Sequence, residues 1–517
     1  MMQNENSSPC VNVVVPTFFD LDGNRMFFGG AERYLIELSR VIKGIGYATN
    51  IYQCANSKWV RYYRDIKVTG LETGYDYNRL NKEFHLVAPQ GVLTIYFAFH
   101  LAFPVAHQPS IGISHGVYWD DVEFQYSPYY ARYGLKEILI AISNLSAFVS
   151  VDTNTLNWVR STYANVLKNA FYIPNFVDLQ QFQVRNRQPM DRVVIVYPRR
   201  LNRVRGFWLM YQLVPDILQR FDNVDFHFVG RADIREEQAV NRLVRQFPTR
   251  VKWYFLPPER MHEAYEQSDI VVIPTIASEG TSLSCLEGMA SGCAVVATTV
   301  GGLPNLILPD YNGLLVEPTA DALQDALIRL IENSTLRADL AQRAIQVAKF
   351  FDIQIWRLRW KNLLMKYLPM RQPIVQQPQT AVFYPAKMEL WQSATTYYLR
   401  RLAEYLADQG VDVFWVQSSR SESDHLRVHL LAEGDDLYLT NPLVFFDNRV
   451  QPLLNTFENP ASIFCYVVEL FPEALENCCG IKVNFYISDN QEICLTRDNI
   501  IYLPAPHLLS TLVPGLF

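Results

Sequence analysis

Two glutamates, Glu279 and Glu287, stand eight positions apart in the segment SEGTSLSCLEGMASGCAVVATTVGG at 278–302. Carboxylates accept hydrogen bonds from hydroxyl groups and repel phosphate, so a sugar or a ribose is their natural ligand. Ser284 lies three positions before Glu287, and this pair also fits a capping box, in which the glutamate returns to the N-terminus of its own helix. The spacing leaves both interpretations open, a ligand-binding pair or a helix cap.

The segment RRLNRVRG at 199–206 concentrates positive charge. Guanidinium groups match phosphate oxygens in both geometry and charge. The segment follows the apolar run VVIVY, a predicted strand, and this position favours Arg200 and Arg205 as phosphate ligands. A solvated basic loop is the alternative for any one of these arginines.

Two segments rich in small residues precede predicted helices. Free backbone N–H groups and the helix dipole favour an anion there, although a tight turn would use the same glycines. The residues concerned are Gly29 and Gly30 in FFGGAE, and Gly280, Thr281 and Ser282 in EGTS. A lone histidine, His115, follows the apolar run SIGI in a similar loop, where it either contacts a ligand or belongs to the core.

Short apolar runs alternate with longer amphipathic segments over residues 11–350, which is typical of parallel sheets covered by helices. In such sheets ligands bind beyond the carboxyl ends of the strands. The polar segment QVRNRQPMD at 183–191 is typical of a linker and divides this region. We therefore predict two successive doubly wound domains, 1–185 and 186–370, whose loops meet at a cleft.

The amphipathic segment FDIQIWRLRWKNLLMKYLPMR at 351–371 follows the second of these domains. Its aromatic stripe predicts a helix that packs two domains together, and its basic residues leave a membrane-surface helix as the alternative. After a proline- and glutamine-rich linker at 372–379, a further strand–helix–strand pattern begins. Residues 371–517 are predicted to form an additional α/β domain, either a partial second unit of the same kind or a domain for acceptor docking or assembly.

Composition and charge narrow the class of protein. The 517 residues carry a net charge of −6 with mixed signs, which gives no reason to expect a nucleic-acid partner. The eight cysteines lack the paired spacing of a metal site or a disulfide framework. The start MMQNENSSPC has neither the basic nor the apolar part of a secretion signal. We therefore expect a cytoplasmic protein without a metal site.

In their order along the chain, the motifs resemble those of retaining glycosyltransferases of family 4, which have the GT-B fold. EGTSLSCLEGMASGCAVVATTVGG, followed by NGLLVEP at 312–318, resembles the E-x7-E donor-site signature. IPNFVDLQQF at 173–182 resembles the segment at the family's domain junction. RRLNRVRG resembles the phosphate loop and FFGGAERY the glycine-rich N-terminal loop. The resemblance covers residues 11–368 and implies two Rossmann-like domains that face a cleft.

The resemblance also implies roles for the singled-out residues. The donor would be a nucleotide-diphosphate sugar, with UDP or GDP, bound mainly by the second domain, and the first domain would bind the acceptor. Glu287 would hold the ribose hydroxyls, and Glu279 a hydroxyl of the donor sugar. Arg200 and Arg205 would neutralise the leaving diphosphate in place of a metal ion, and His115 would touch the donor sugar. Retention in this family is described as front-face attack, so Glu279 is expected to position the sugar and not to act as a base.

The sequence departs from the family pattern at three positions. Arg205 stands where lysine is usual, which keeps the charge and changes the reach. Phe176 replaces a glycine, and Gly288 replaces an alanine at a cost in helix propensity of ~1 kcal/mol. None of these changes removes an expected contact with the donor.

Together these features predict a metal-independent hexosyltransferase acting on a glycan, a lipid-linked or another acceptor, as in polysaccharide synthesis. Peripheral contact with the inner face of the membrane, and an oligomer or partner bound through 371–517, stay open. A nucleotide-sugar 2-epimerase shares the fold and is an alternative, which would need acid and base residues in the cleft. A non-catalytic module that binds nucleotide sugars is a third hypothesis.

Overall fold

A computed structural model of the chain describes residues 9–88, 92–121, 134–162, 167, 169–184 and 192–371, together with short segments between 380 and 503. Most of the first predicted linker, and all of the second at 372–379, lie outside the described residues. The domain limits near 185 and 370 therefore stay predictions.

Residues 10–172 form a mostly parallel sheet with helices on its faces. Its strands are β1 (Cys10–Val14), β2 (Ala48–Ala55), β3 (Trp59–Arg64), β4 (Ile66–Glu72), β5 (Leu93–Tyr96), β6 (Ser110–Ser114), β7 (Ala147–Ser150) and β8 (Ala170–Tyr172). Its helices are α1 (Gly30–Gly44), α2 (Tyr77–Val87), α3 (Leu135–Ser143) and α4 (Thr153–Thr162), with a 3₁₀ turn at Phe99–Ala102. The strands follow the order β3-β4-β2-β1-β5-β6-β7-β8, and only the pair β3–β4 among these is antiparallel. The apolar runs at β1 and β6 are buried because both faces of the sheet are covered.

Residues 193–348 form a second sheet, in which every strand pair is parallel. Its strands are β9 (Val193–Tyr197), β10 (Val224–Val229), β11 (Val251–Tyr254), β12 (Ile270–Ile273), β13 (Ala294–Thr298) and β14 (Leu314–Val316). Its helices are α5 (Phe207–Arg220), α6 (Ile234–Gln246), α7 (His262–Glu266), α8 (Leu283–Ala290), α9 (Ala320–Glu332) and α10 (Ser334–Ala348). The order β11-β10-β9-β12-β13-β14 is the doubly wound Rossmann order, with one hydrophobic core on each face. The predicted α/β fold class is confirmed.

Helix α11 (Ile353–Leu364) follows the second sheet and packs on α1 of the first. Trp356 and Trp360 are buried in the core of the first sheet, and Trp360 Nε1 donates a hydrogen bond to Tyr34 Oη at 2.9 Å. Arg357 adds a salt bridge to Glu37 of α1 at 2.6 Å. The tryptophan stripe is therefore used for packing within the protein and does not face a membrane.

The C-terminal region contributes strands to two sheets. Its strands are β15 (Thr380–Tyr384), β16 (Asp412–Gln417), β17 (Val428–Ala432), β18 (Tyr438–Thr440), β19 (Leu443–Asp447), β20 (Phe457–Glu458), β21 (Ser462–Tyr466), β22 (Thr496–Arg497) and β23 (Ile500–Leu503). Seven of them form a third sheet in the order β17-β16-β15-β19-β21-β23-β22. β18 instead pairs with β3, which extends the first sheet to ten strands with β20 at its edge. Most of the helix predicted after β15 lies outside the described residues.

A buried carboxylate joins the third sheet to the first. Asp412, at the start of β16, is 3% exposed. Its Oδ2 accepts hydrogen bonds from Lys67 Nζ at 2.6 Å and from Tyr62 Oη at 2.5 Å, and its Oδ1 contacts Arg427 Nη1 at 3.2 Å. Burial opposes the charge, but His429 and Lys67 hold the pKa of Asp412 well below its usual value. The carboxylate therefore stays ionised and neutralises cations from both sheets.

Replacing Asp412 by alanine is expected to destabilise the protein by about 3 kcal/mol, because Lys67 loses its buried partner. The free energy of unfolding in urea measures the effect. Glu332→Ala is the control, since it breaks a salt bridge to Arg220 that is about half exposed on both sides and is expected to cost at most about 1 kcal/mol. Equal losses in the two variants would contradict the anchoring role of Asp412.

Candidate functional site

The strand order reverses once in each of the first two sheets, between β1 and β5 and between β9 and β12. Ligands of open parallel sheets bind beyond the carboxyl ends of the strands at such a reversal. The loop after β6 meets the loop after β12 here, because Ser278 N donates a hydrogen bond to Asp120 Oδ1 at 2.9 Å. Arg203, in the loop after β9, pairs with Asp121 of the first domain. The two reversal points thus face each other across one cleft.

Glu279 lies in this cleft and is 6% exposed. Its Oε2 accepts hydrogen bonds from Arg199 Nη2 at 2.6 Å, Thr275 Oγ1 at 2.7 Å and Arg205 Nη1 at 3.0 Å. Its Oε1 accepts none from any residue that the structure describes. Because a carboxylate oxygen has lone pairs for two hydrogen bonds, Oε1 is available to a ligand.

The charges around Glu279 fix its protonation state. Burial raises the pKa of its carboxyl group, but the guanidinium groups of Arg199 and Arg205 outweigh this and lower the pKa below its usual value. Burial lowers the pKa of Arg205, although an arginine does not lose its proton in a protein. Glu279 is therefore an anion that accepts hydrogen bonds and cannot donate a proton.

Glu287 lies on α8 and is 2% exposed. Its Oε1 accepts a hydrogen bond from Arg33 Nη1 at 2.6 Å, and its Oε2 accepts one from Tyr265 Oη at 2.7 Å. Arg33 belongs to α1 of the first domain, so this ion pair crosses the cleft. Burial alone would lower the pKa of Arg33, but the Glu287 carboxylate raises it above its usual value.

The capping-box interpretation of Ser284 and Glu287 is wrong. Helix α8 begins at Leu283, and its N-cap is Ser282, whose Oγ accepts a hydrogen bond from Cys285 N at 3.4 Å. Ser284 lies inside the first turn and donates its hydroxyl to Pro198 O at 3.0 Å. Glu287 is thus free of a capping role and turns toward the cleft.

Thr281 connects three segments of the chain. Its Oγ1 donates a hydrogen bond to Val151 O at 2.9 Å and accepts one from Asn175 N at 2.7 Å. Its carbonyl accepts a further hydrogen bond from Asn175 Nδ2 at 2.5 Å. Val151 follows β7, and Asn175 lies in the segment between the first two sheets. The loop after β12 is therefore tied both to the first domain and to the connection between the domains.

Glycines allow the loops to approach each other. A Cβ at Gly116 would lie 2.7 Å from Gly280 N, and a Cβ at Gly280 would lie 2.6 Å from His115 O. Gly30 begins α1, and a Cβ there would lie 3.0 Å from Leu283 Cδ1 of the second domain. The amide of Gly29 is engaged within its own helix, since it donates to Glu32 Oε2 at 2.7 Å.

His115 stands between these loops with its ring against Phe97, at 4.4 Å between centroids, and Tyr34, at 5.1 Å. Its Nε2 is buried and has no hydrogen-bond partner among the described residues. Burial lowers the pKa of His115 to about 4, and a hydrogen bond to the Phe97 backbone opposes the shift only in part. The ring is therefore neutral at pH 7, and its buried Nε2 is without a partner among the described residues.

This shift predicts a dependence of stability on pH. Between pH 6.5 and about 4 the unfolded His115 binds a proton that the folded state does not, so the free energy of unfolding falls as the pH falls. The expected loss is up to about 3 kcal/mol. Urea denaturation from pH 7 to 4 measures it. His115→Gln is expected to remove the part of the fall that His115 causes, while His100, whose pKa burial also lowers to about 4, keeps its own contribution. His262→Gln, a partly exposed control, should keep the wild-type profile, and identical profiles for all three proteins would contradict the prediction.

The arginines of the loop after β9 differ in whether they contact Glu279. Arg205 reaches Glu279 and also donates to Ser278 O at 2.9 Å. Arg200, predicted alongside it, is exposed, and its guanidinium group makes no hydrogen bond within the described ranges. Arg199 was not singled out from the sequence, yet its side chain is 8% exposed and contacts Glu279. The structure therefore brings Arg199 and Arg205 to the carboxylate and leaves Arg200 at the surface.

A cavity of about 600 Å³ opens beside Glu279. The second domain contributes Arg205 and Ser278 to its wall. The first domain contributes aromatic, imidazole and small apolar residues, which are Tyr75, Tyr77, Ala98, Phe99, His100, Ile113, His115, Gly116, Val117 and Tyr118. His115 and Arg205 were singled out from the sequence, whereas the aromatic residues of the wall were not.

Solved structures share the fold of this chain. Sucrose-phosphate synthase from Thermosynechococcus elongatus aligns with a TM-score of 0.57 at 17% identity, over 69% of this chain and 98% of that one. Anabaena HepE, solved with UDP and glucose, aligns with a TM-score of 0.53 at 17% identity, over 69% of this chain and 100% of that one. The chain therefore has the GT-B fold of glycosyltransferases.

Residues 179–347 match the family described as glycosyl transferases group 1. A D-inositol 3-phosphate glycosyltransferase of Corynebacterium urealyticum is 27% identical over 206 residues, 37% of this chain and 45% of that protein. An uncharacterised glycosyltransferase of Methanocaldococcus jannaschii is 32% identical over 131 residues, 25% of this chain and 33% of that protein. The chain spans less than half the length of these relatives. In the part of the chain that the structure describes, no helix is both long and apolar enough to cross a membrane.

Proposed function

We propose that the chain is a retaining hexosyltransferase that moves a sugar from a UDP- or GDP-linked donor to a hydroxyl group of a glycan, a lipid-linked or another acceptor. The observation that carries the proposal is the state of Glu279, which is charged, held by two arginines through Oε2, and open at Oε1 inside the cleft. The match of 179–347 to group 1 glycosyl transferases supports the reaction class. The structures of HepE with UDP and with UDP-glucose support the donor class.

In this proposal each of three side chains binds one part of the nucleotide sugar. Glu279 Oε1 accepts a hydrogen bond from a hydroxyl of the donor sugar, and Glu287 accepts hydrogen bonds from the ribose hydroxyls. The unpartnered Nε2 of His115 lies on the first-domain side of the same cleft and accepts a further sugar hydroxyl. Buried atoms that can accept a further hydrogen bond favour ligands with hydroxyl groups, because leaving that hydrogen bond unmade is costly in a buried site.

The diphosphate is proposed to lie beside the cationic and N–H groups of the cleft. Arg205 and the exposed Arg200 neutralise it, and the N-terminal end of α8 adds backbone N–H groups from Gly280, Thr281 and Ser282. Gly29 and Gly30, at the start of α1, bring the backbone of the first domain close to the second domain on the other side of it. Positive charge fixed in this way stabilises the transition state most, since negative charge grows on the leaving diphosphate. We therefore propose that the reaction needs no metal ion.

The proposed transfer takes place on one face of the sugar. The acceptor oxygen forms a bond to the anomeric carbon while the bond from that carbon to the diphosphate oxygen breaks. The departing phosphate oxygen takes the proton of the acceptor hydroxyl, so the configuration is retained without a nucleophile from the protein. Glu279 positions the sugar, in contrast to the paired carboxylates of glycoside hydrolases. We place the reaction in the cytoplasm, at or near the inner face of the membrane, with 371–517 as a domain for acceptor docking or assembly.

A donor assay tests the proposal. The purified chain is incubated with UDP- and GDP-hexoses and a set of hydroxyl acceptors, with and without EDTA, and products are identified by mass spectrometry and by the anomeric signals in NMR. The proposal expects a retained glycoside, insensitivity to EDTA and loss of product with Glu279→Ala. Binding of nucleotide without consumption of any donor would contradict transfer, and a donor inverted at C2 would identify an epimerase.

A further inference from the structure

A segment of the C-terminal region reaches the loop between β1 and α1. Asp436 N donates a hydrogen bond to Asn24 O at 2.8 Å, and Asp436 Oδ2 accepts one from Met26 N at 3.0 Å. The carboxylate thus binds a backbone amide that lies 410 positions earlier in the chain. Met26 is buried, so this hydrogen bond is partly shielded from water. The two hydrogen bonds run in opposite directions and fix residues 24–26 against Asp436.

An aromatic contact continues this interface two residues further along the C-terminal segment. Tyr438 lies in β18, where it is paired with Tyr63 of β3, and the centroids of the two rings are 5.2 Å apart. The ring of Tyr438 also contacts the ring of Phe28 at 6.2 Å, edge to face. Leu439, the next residue of β18, is fully buried and anchors the strand in the first domain. The C-terminal region therefore holds Phe28 as well as Met26.

Residues 26–28 are held from two sides. Phe27 N donates a hydrogen bond to Phe18 O of the first domain at 3.0 Å, whereas Met26 N donates to the C-terminal region. The residues just before them form a turn that Asp20 closes within the first domain, through hydrogen bonds at 2.7 and 3.2 Å from the next amides. The C-terminal region thus completes the support of a segment that leads directly into α1.

The start of α1 carries groups of the proposed nucleotide site. Gly29 is the N-cap of this helix, and a Cβ at Gly30 would lie 3.0 Å from Leu283 Cδ1 of α8. One turn further along, Arg33 Nη1 donates a hydrogen bond to Glu287 Oε1 at 2.6 Å. Closely packed elements transmit displacements, so the position of residues 26–28 influences where Arg33 meets this carboxylate.

We propose that Asp436 and Tyr438 are positioning residues of the nucleotide site. They hold residues 26–28, and thereby the start of α1, in the place where Arg33 meets Glu287. Both act through α1 and not by contact with the donor. The inference rests on the proposed function, and it gives the C-terminal region a part in nucleotide binding beyond acceptor docking or assembly.

Two substitutions at Asp436 test the hydrogen bond to Met26. Asp436→Ala removes the acceptor and is expected to weaken binding of UDP or GDP, measured by calorimetry, about fivefold. Asp436→Asn keeps an oxygen acceptor and should stay within about twofold of the wild-type affinity. With the active donor, Asp436→Ala should raise the KM and leave kcat near its wild-type value, since Glu279 is not touched. Equal nucleotide affinity of the wild-type protein and Asp436→Ala, or an asparagine variant as weak as the alanine variant, overturns the inference.

A second pair of variants and a control test the aromatic contact. Tyr438→Phe keeps the ring and should bind nucleotide like the wild-type protein, whereas Tyr438→Ala should bind it about fivefold more weakly. Arg427→Met controls for a general loosening of the C-terminal region, because Arg427 Nη1 donates to Gly410 O and Asp412 Oδ1 within that region, each at 3.2 Å. This control should keep wild-type nucleotide affinity. A loss as large as that of Tyr438→Ala would overturn the assignment of positioning to these two side chains.

Hydrogen–deuterium exchange separates the inference from the proposed function. Peptides that cover residues 24–33 are followed by mass spectrometry without any nucleotide. Asp436→Ala is expected to exchange about fivefold faster than the wild-type protein in this segment, and Asp436→Asn is not. Unchanged exchange in Asp436→Ala overturns the inference. Failure of the wild-type protein to bind either nucleotide would instead count against the proposed function.

Discussion

Glu279→Gln is expected to transfer sugar about 100- to 1000-fold more slowly than the wild-type protein, the range seen when one preorganised polar group of an active site is removed. Glutamine keeps the shape of the side chain and loses the charge that holds Arg199 and Arg205. Both guanidinium groups then lack their carboxylate, and we expect a loss of about 3 kcal/mol in the free energy of unfolding. Steady-state kinetics and urea denaturation measure the two effects.

Nucleotide binding by the Glu279→Gln variant and a matched control variant test this prediction. UDP and GDP lack the sugar hydroxyl that Glu279 is proposed to hold, so the variant should still bind the nucleotide, and this binding shows that it is folded. Glu263→Gln is the matched control, because it removes a glutamate whose partner, Arg260, lies at the surface at 2.7 Å. An ion pair that lies in water in this way contributes little to stability. A Glu279→Gln protein that retains more than a tenth of wild-type kcat would rule out the proposed role.

The ion pair between Arg33 and Glu287 is expected to have the second-largest effect. Glu287→Gln should weaken nucleotide binding about 10- to 100-fold, because hydrogen bonds to a charged group contribute about 1.5–3 kcal/mol. Arg33→Met leaves Glu287 buried with Tyr265 as its hydrogen-bond partner and should cost about 3 kcal/mol of stability. Calorimetry with UDP and urea denaturation give the two values.

The double variant Arg33→Met/Glu287→Met distinguishes the effect of the ion pair on stability from the effect of Glu287 on nucleotide binding. With neither charge buried, stability should recover in part, whereas nucleotide affinity should not recover. Arg40→Met is the control on the same helix, since Arg40 is half exposed and its partner Glu37 keeps the salt bridge to Arg357. Full recovery of nucleotide affinity in the double variant would show that Glu287 does not hold the ribose.

The sheets were predictable from local patterns, and several long-range contacts were not. The run VVIVY appears as β9 (Val193–Tyr197), because a strand buried on both faces must be apolar throughout. The contact between Arg33 and Glu287 joins residues 254 positions apart and depends on how the domains face each other. No spacing rule within one element can predict such a contact.

Two details of the site have local physical causes. Arg199 and Arg200 are adjacent in the loop after β9, so charge alone could not tell that Arg199 contacts Glu279. The capping motif failed because the helix begins after Ser282 and places Ser284 within its first turn. A shift of two residues in the start of the helix thus decides which serine caps it.

Thr281 couples the orientation of the two domains to the loop that carries Glu279. Its hydroxyl and carbonyl groups bind Val151 and Asn175 at the same time, so a rotation of one domain against the other must strain or break one of these hydrogen bonds. A ligand that favours one orientation of the domains will therefore shift the position of the loop that carries Glu279. By linkage, a ligand bound to that loop shifts the equilibrium between domain orientations by the same free energy. Ligand binding in the cleft and closure of the cleft are in this way thermodynamically coupled.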